Sequence, residues 1–280
     1  MSKRVARAFH VVLLVVLLGT CSSSIYFINQ ASRVPPTATL ANTPTVDTVP
    51  EPGWSLLRTG LERRVIRIDN TAHQQVESVY VWRLDQNYFR LDVAFASTPK
   101  ALDSWQREMN ALMVINGGYY SIENERYLPN GLTIVNGEAS GQSFDDFGGM
   151  LAINQSGAEL RWLVEQPYDS YERLQAGLQS FPMLVRPGGV LGFGPERENN
   201  VSARRTAIGQ DTHGRILFIV APQGYFTLHQ FSVYLTESDL HLDIAVNLDG
   251  GGSTGVLVAN PREIIPPTRP LPFVILVYPR

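Results

Sequence analysis

The sequence predicts an α+β fold in a single domain: mixed, mostly antiparallel β-sheets with a few flanking helices. Two observations carry this. Period-two alternation opens the folded part, and short apolar runs that end in glycine or asparagine turns follow, whereas helical spacing returns in only three short stretches. The composition agrees: 44% of the 280 residues are hydrophobic and 18% charged, enough to bury a large core and too little like charge to keep the chain unfolded.

Before that domain lies a different kind of sequence. Lys3, Arg4 and Arg7 precede the apolar run Val11–Leu18 and then Gly19-Thr20-Cys21, the order of an export signal. Residues 1–28 therefore read as a signal peptide or membrane anchor, and the chain is expected to work outside the cytoplasm, tethered to the membrane. Two tethers stay open: lipidation of Cys21 in a lipoprotein box, or an uncleaved span from Phe9 to Ile28, uncharged and long enough for a ~30 Å hydrocarbon layer. Residues 29–52, rich in Pro and Thr, read as an extended linker. The folded domain is expected over 53–280.

The elements follow in order. Leu61–Asp69, Val76–Arg83 and Phe89–Phe95 alternate as half-buried antiparallel strands. Thr98-Pro99 offers a cap and first-turn proline for a helix over Pro99–Asn110, with Leu102, Trp105, Met109 and Leu112 at helical spacing. Strands follow at 112–115, 131–135, 150–153, 206–209, 215–221, 243–248 and 273–278, most of them closed by turn residues. Two more helical stretches are expected, one through Tyr171, Leu174 and Leu178, and one after a Thr227 cap through Leu228, Phe231 and Leu235. The Gly- and Pro-rich segment 186–200 reads as a long loop, a candidate lid or site wall.

Charge and cysteine count exclude several functions. Twenty-three basic residues against 26 acidic ones leave a net charge of −3, which excludes a basic nucleic-acid binder. The single cysteine, Cys21, forms neither an internal disulfide nor a thiolate zinc site, His213 is expected in a solvent-facing hairpin turn, and His229 and His241 lack a metal-binding spacing, so neither a metal nor a cofactor is expected.

The chemistry concentrates in 245–255, where an apolar strand delivers Asp249 into Gly250-Gly251-Gly252-Ser253. Three consecutive residues without Cβ let backbone N–H groups converge on an anion or a sugar oxygen. Two motif matches here fail on context. Gly250, Gly252 and Gly255 satisfy the dinucleotide fingerprint, but strand-like Val256-Leu257-Val258 and several prolines follow where a helix is required. Gly251-Gly252-Ser253-Thr254-Gly255 satisfies the nucleophile elbow, but no His or Asp follows Ser253.

Taken together, Asn116-Gly117-Gly118-Tyr119-Tyr120, Pro129-Asn130-Gly131, Arg205-Thr206-Ala207-Ile208-Gly209 and Asn247-Leu248-Asp249-Gly250-Gly251-Gly252-Ser253 resemble, in order and spacing, the motifs of the uncovering-enzyme-like phosphodiester glycosidase domain family. Phe181-Pro182-Met183-Leu184-Val185 is similar to a further family segment but lacks its glycine before the proline. The resemblance implies cleavage between an anomeric carbon and a phosphodiester oxygen, on a sugar-1-phosphodiester or an envelope glycan. Phosphate leaves readily, so such catalysis depends on stabilising an oxocarbenium-like carbon and holding the departing charge. On this reading Asp249 is the catalytic carboxylate and Arg205 the phosphate partner, its planar fork suiting two oxygens at once. Gly117, Gly118, Thr206, Gly250, Gly251, Gly252 and Ser253 line the substrate, and Asn116 and Asn247 bind sugar hydroxyls. Tyr119 and Tyr120 offer a stacking wall, of which one at most is expected to touch ligand. The second carboxylate stays open among Glu123, Asp145, Asp146, Glu196 and Asp243. The alternatives are a non-catalytic envelope carbohydrate-binding module of the same fold and a serine hydrolase using Ser253.

Overall fold

The computed structural model describes residues 51–144 and 147–280. The signal or anchor segment and nearly all of the linker lie outside the described residues, as do Asp145 and Asp146. Among the described residues no helix is long and apolar enough to cross a membrane.

Among the described residues, twenty strands and two α-helices make up the fold. The chain opens with β1 (Ser55–Arg58), β2 (Leu61–Asp69), β3 (Gln75–Leu84), β4 (Phe89–Lys100), α1 (Leu102–Met109) and β5 (Met113–Asn116). A hairpin, β6 (Tyr120–Glu123) and β7 (Arg126–Pro129), leads into β8 (Thr133–Val135), β9 (Glu138–Ser140), β10 (Gly149–Ile153), β11 (Ala158–Trp162) and β12 (Ala176–Ser180). Then come β13 (Met183–Arg186), β14 (Val190–Leu191), β15 (Arg205–Asp211), β16 (Ile216–Ala221), α2 (Leu228–Glu237), β17 (Leu242–Asn247), β18 (Val256–Ala259), β19 (Arg262–Ile265) and β20 (Leu271–Pro279).

Every strand pair described is antiparallel. Three sheets share one core: an eight-stranded sheet in the order β1-β2-β3-β16-β15-β17-β13-β14, and two five-stranded sheets, β11-β10-β12-β8-β9 and β19-β18-β5-β20-β4. Strand alternation shows how. Ile216, Phe218 and Val220 of β16 enter the shared core, while Leu217, Ile219 and Ala221 join Phe231 and Leu235 of α2 on the other face. Met113 and Ile115 of β5 and Phe273, Ile275 and Val277 of β20 point into the same shared core. Val114, Val274 and Leu276 turn outward to Leu102 and Trp105 of α1. Both faces of these strands are covered, which is why they read as continuous apolar runs rather than as alternating ones.

Two expectations are corrected. Helix α1 starts at Leu102 rather than Pro99, because Thr98–Lys100 prolong β4 and Lys100 pairs with Leu271 of β20. No helix forms through 171–178: Ala176, Gly177 and Leu178 run in β12, paired with Ile153, Ala152 and Leu151 of β10. There Gly177 is needed for close approach, since a Cβ would lie 2.9 Å from the Leu151 carbonyl oxygen.

The Thr227 cap is as expected. Gln230 N–H donates to Thr227 Oγ1 at 3.2 Å and Thr227 N–H to Gln230 Oε1 at 3.0 Å, a reciprocal capping box. Thr227→Ala is expected to cost ~1 kcal/mol. Calorimetry should record this as a fall in Tm of roughly 2–4 °C for a domain of this size.

Candidate active site

The C-terminal ends of β5, β12 and β17, one from each large sheet, meet the N-terminal end of β15. Asn116, at the end of β5, holds the junction together. Its Nδ2 donates to the Asp249 carbonyl at 2.7 Å, and its Oδ1 accepts from Thr206 Oγ1 at 2.9 Å and from Gly255 N–H at 3.1 Å. Asp249 N–H returns a bond to the Gly117 carbonyl at 3.1 Å, and Ser180 Oγ donates to the Asn247 carbonyl at 2.6 Å. Asn116 and Thr206 are 1% and 0% exposed, so the groups that the sequence assigns to sugar are spent on carrying the loop. Gly117 is needed for packing: a Cβ there would lie 2.9 Å from the Phe273 ring.

Two glycines of the triple run serve backbone constraints: a Cβ at Gly250 would lie 2.8 Å from the Arg204 carbonyl, and Gly251 has φ +56°. At Gly252 the close neighbour is the movable Arg269 guanidinium, whose Nε a Cβ would approach to 2.5 Å. Gly251–Ser253 close a 3₁₀ turn. The expected convergence of amides on a ligand is corrected here. Gly250 N–H donates to Asp249 Oδ1 at 2.9 Å, Gly251 N–H to the Arg204 carbonyl at 2.8 Å and Ser253 N–H to the Gly250 carbonyl at 3.1 Å. Only the Gly252 N–H of these amides has no partner among the described residues.

Asp249 therefore sits on a rigid base. Burial pushes its carboxyl above the ordinary carboxylate value, against the opposing pull of the Ser253 hydroxyl, the Gly250 N–H and the Arg269 charge. Ser253 is 2% exposed and bonded to that carboxylate. His213 and His241 are exposed, and His229 Nδ1 lies 2.9 Å from the Phe193 carbonyl, so none of the three activates Ser253.

Arg205, 8% exposed, lies in the wall beside this loop. Its Nε donates to the Phe226 carbonyl at 3.1 Å and its Nη2 to the Val201 carbonyl at 2.7 Å, which fixes the guanidinium plane and leaves the Nη1–Nη2 edge for a ligand. Among the described residues no carboxylate ion-pairs with it. Burial pulls its value down, against the opposing influence of Tyr119 and Glu198. Arg204 turns elsewhere, Nη2 donating to the Pro266 carbonyl at 2.9 Å.

Tyr119 joins the two candidate catalytic groups. Burial, then the Asp249 charge, pushes its phenol up to about 12, while the Arg205 charge and the bond from Asn247 act the other way. Both charges thus act on one hydroxyl. Asn247 Nδ2 donates to that hydroxyl at 2.6 Å and to the Leu248 carbonyl at 2.8 Å, while its buried Oδ1 accepts no bond. Tyr120 faces Tyr127 across the hairpin, ring centroids 5.4 Å apart.

The candidate second carboxylates scatter. Glu123 is exposed on the hairpin, Glu196 is exposed beside Arg197, and Asp243 Oδ1 accepts from Gly188 N–H at 3.0 Å. Sequence reasoning missed Glu198, at the end of segment 186–200, which is not one long loop as expected but carries β14, paired with β13, and a 3₁₀ turn at Pro195–Arg197. Burial pushes its carboxyl up, but bonds from the Thr227 hydroxyl and the His229, Asn200 and Asn199 N–H groups outweigh this and hold it below its ordinary value, so it is ionised beside Arg205. Arg269 was also missed. It is exposed and lies over Gly252, and no local motif marks it. Among the described residues no cluster of His, Cys, Asp or Glu is placed to hold a metal ion.

Comparisons with known proteins bear on the family and the fold. The model of a family described as phosphodiester glycosidase matches residues 109–278. No curated protein matches. Among solved structures, the catalytic domain of zebrafish N-acetylglucosamine-1-phosphodiester alpha-N-acetylglucosaminidase, auto-inhibited by its pro-peptide, is 18% identical with a TM-score of 0.63, covering 79% of this chain and 84% of that one. A hypothetical protein from Synechocystis is 15% identical with a TM-score of 0.55, covering 79% of this chain and 62% of that one. At these identities the likeness is one of fold. The family match spans more than half of the sequence, from the end of α1 into β20, and on that ground the chain belongs to the phosphodiester glycosidase family.

Proposed function

We propose that this protein is an extracytoplasmic, membrane-tethered hydrolase that cleaves the sugar–phosphate bond of sugar-1-phosphodiesters. The anomeric C–O bond breaks, its electron pair leaves with the phosphate oxygen, and water adds to the anomeric carbon, giving a free sugar and a phosphomonoester. Asp249 faces the developing sugar cation as nucleophile or electrostatic partner. The free edge of Arg205 holds the phosphate, and Arg269 with the Gly252 N–H offers it a second cationic flank. Asn247 Oδ1 is suited to accept from a sugar hydroxyl, and Asn116, Thr206, Gly117 and Gly118 position the loop from behind.

The observation that carries this reading is that the loop of Asp249 is bonded to the backbone on both sides of Arg205, Leu248 N–H donating to the Thr206 carbonyl at 2.9 Å and Gly251 N–H to the Arg204 carbonyl at 2.8 Å. A catalytic anion and a phosphate-binding cation on chain segments bonded to each other suit a substrate that is cationic at carbon and anionic at phosphorus in its transition state. The test is incubation of the full chain with a panel of sugar-1-phosphodiesters, beginning with N-acetylglucosamine-1-phosphate methyl diester, and mass detection of both products. Binding of the panel without any turnover would instead identify an envelope carbohydrate-binding module.

A further inference from the structure

Two carbonyl oxygens from separate segments aim the Arg205 guanidinium: Val201 accepts from its Nη2 at 2.7 Å and Phe226 from its Nε at 3.1 Å. We propose that Glu198 is the positioning residue for Arg205, its carboxylate tying these two segments together; the consequence for phosphate binding rests on the glycosidase reading above. One oxygen holds the first segment. Glu198 Oε1 accepts from Asn199 N–H at 2.7 Å and from Asn200 N–H at 2.8 Å, the two residues that precede Val201. The other oxygen reaches the second segment. Glu198 Oε2 accepts from His229 N–H at 2.8 Å, and the Thr227 hydroxyl bonds to the same carboxylate, so the tie lands on residues that follow Phe226.

The two segments are not equally held. The second is fixed from the core: buried Glu77 accepts from Gln223 N–H at 3.1 Å and from Tyr225 N–H at 3.3 Å, the Phe226 ring lies 5.4 Å from that of Phe231, and the capping box starts α2 just beyond. The first lies at the surface. No residue from Pro195 to Ser202 is buried, so hydrogen bonds rather than packing hold this stretch. Asn200 has φ +58°, and Val201 N–H donates to Asn199 Oδ1 at 3.0 Å, which shapes the turn without attaching it to the core. Four donors on one carboxylate therefore set where the Val201 carbonyl stands relative to that of Phe226, and with it the plane of the guanidinium. Charge alone would argue against a carboxylate here, since an anion beside a phosphate-binding arginine repels the ligand. The two roles predict opposite signs. A carboxylate that acts only by charge weakens phosphate binding, and one that aims Arg205 strengthens it.

The test titrates the full chain with methyl phosphate, the monoester product of the methyl diester, followed by phosphorus NMR. Beside it, solvent exchange of the Arg205 Nε–H is read from its own resonance, assigned through Arg205→Lys. Glu198→Ala is expected to raise the dissociation constant about tenfold and to remove the exchange protection of the Arg205 Nε–H. Glu198→Gln keeps the bulk and an accepting oxygen for Asn199 and Asn200 but turns an N–H towards the His229 N–H, so it should weaken binding as well. Glu237→Ala, which removes an equal charge at the last residue of α2, should change neither reading. Where Arg205→Lys weakens binding but both Glu198 variants leave it unchanged or tighten it, the proposal is overturned. An Arg205 resonance unchanged in Glu198→Ala also overturns it, whatever the melting temperature does, because a mere brace would alter only the latter. If the unaltered protein does not bind methyl phosphate, or binds it equally after Arg205→Lys, the phosphate role of Arg205 fails. The resonance then decides alone: faster exchange in Glu198→Ala upholds the positioning of Arg205, and unchanged exchange overturns it.

Discussion

Asp249→Asn is expected to lower kcat by at least about a thousandfold while substrate binding stays within a few-fold, since the isostere keeps the shape of the loop and removes the charge that faces the sugar cation. Single-turnover kinetics beside equilibrium binding checks both halves. The pH dependence has a definite sign. Burial raises the Asp249 value, so on acidification the carboxylate is protonated earlier than an exposed one. The acid limb of kcat/KM should therefore lie above the ordinary carboxylate range. Stability runs the other way. A group whose folded value is raised favours the fold while protonated, and that contribution is lost as pH rises through the folded value. At neutral pH the Asp249→Asn variant, whose side chain is neutral at every pH, should melt higher than the unaltered protein, and the difference should shrink on acidification. Equal melting temperatures at neutral pH would show that the buried charge imposes no cost.

Arg205→Lys should reduce kcat/KM by about a hundredfold, because an ammonium offers neither the planar fork nor the fixed free edge. It should also weaken inhibition by the phosphomonoester product. The same substitution leaves the Phe226 carbonyl with the Ala203 N–H alone and removes the bond to the Val201 carbonyl, so about 1 kcal/mol of stability goes with it. Thermal unfolding reports that loss separately. A variant that loses stability but keeps its affinity for the product would make Arg205 a brace for the 201 and 226 backbone and nothing more.

Much of the fold was legible because the signal was local. β16 and β5 announce themselves as apolar runs bounded by turns, and Thr227 with Gln230 is readable as a cap from four residues. The expected helix through Leu174 and Leu178 failed because its spacing spans a turn and a strand, and pairing with β10 outweighs a three-point apolar stripe. The same distinction divides the candidate site. Asp249 and Arg205 lie in segments whose composition is conspicuous, whereas Arg269 belongs to a proline-rich stretch with no motif and Glu198 to a loop with several acids. Nothing along the chain says that Tyr119 would present its hydroxyl rather than its ring face, or that two of the three glycine amides would be tied to the protein itself.

What the sequence determined alone was the inventory: sheet-rich architecture, an acid at the head of three glycines and an arginine on a strand. Those follow from propensity, periodicity and residue chemistry, which act over a few positions. Only tertiary structure decided which of these groups share an environment, because the ends of β5, β12, β15 and β17 come from four distant segments. Their meeting depends on packing three sheets around one core. That convergence placed Tyr119 within reach of both charges, turned Asn116 from a ligand candidate into the bond holding the glycine loop, and brought Arg269 over Gly252.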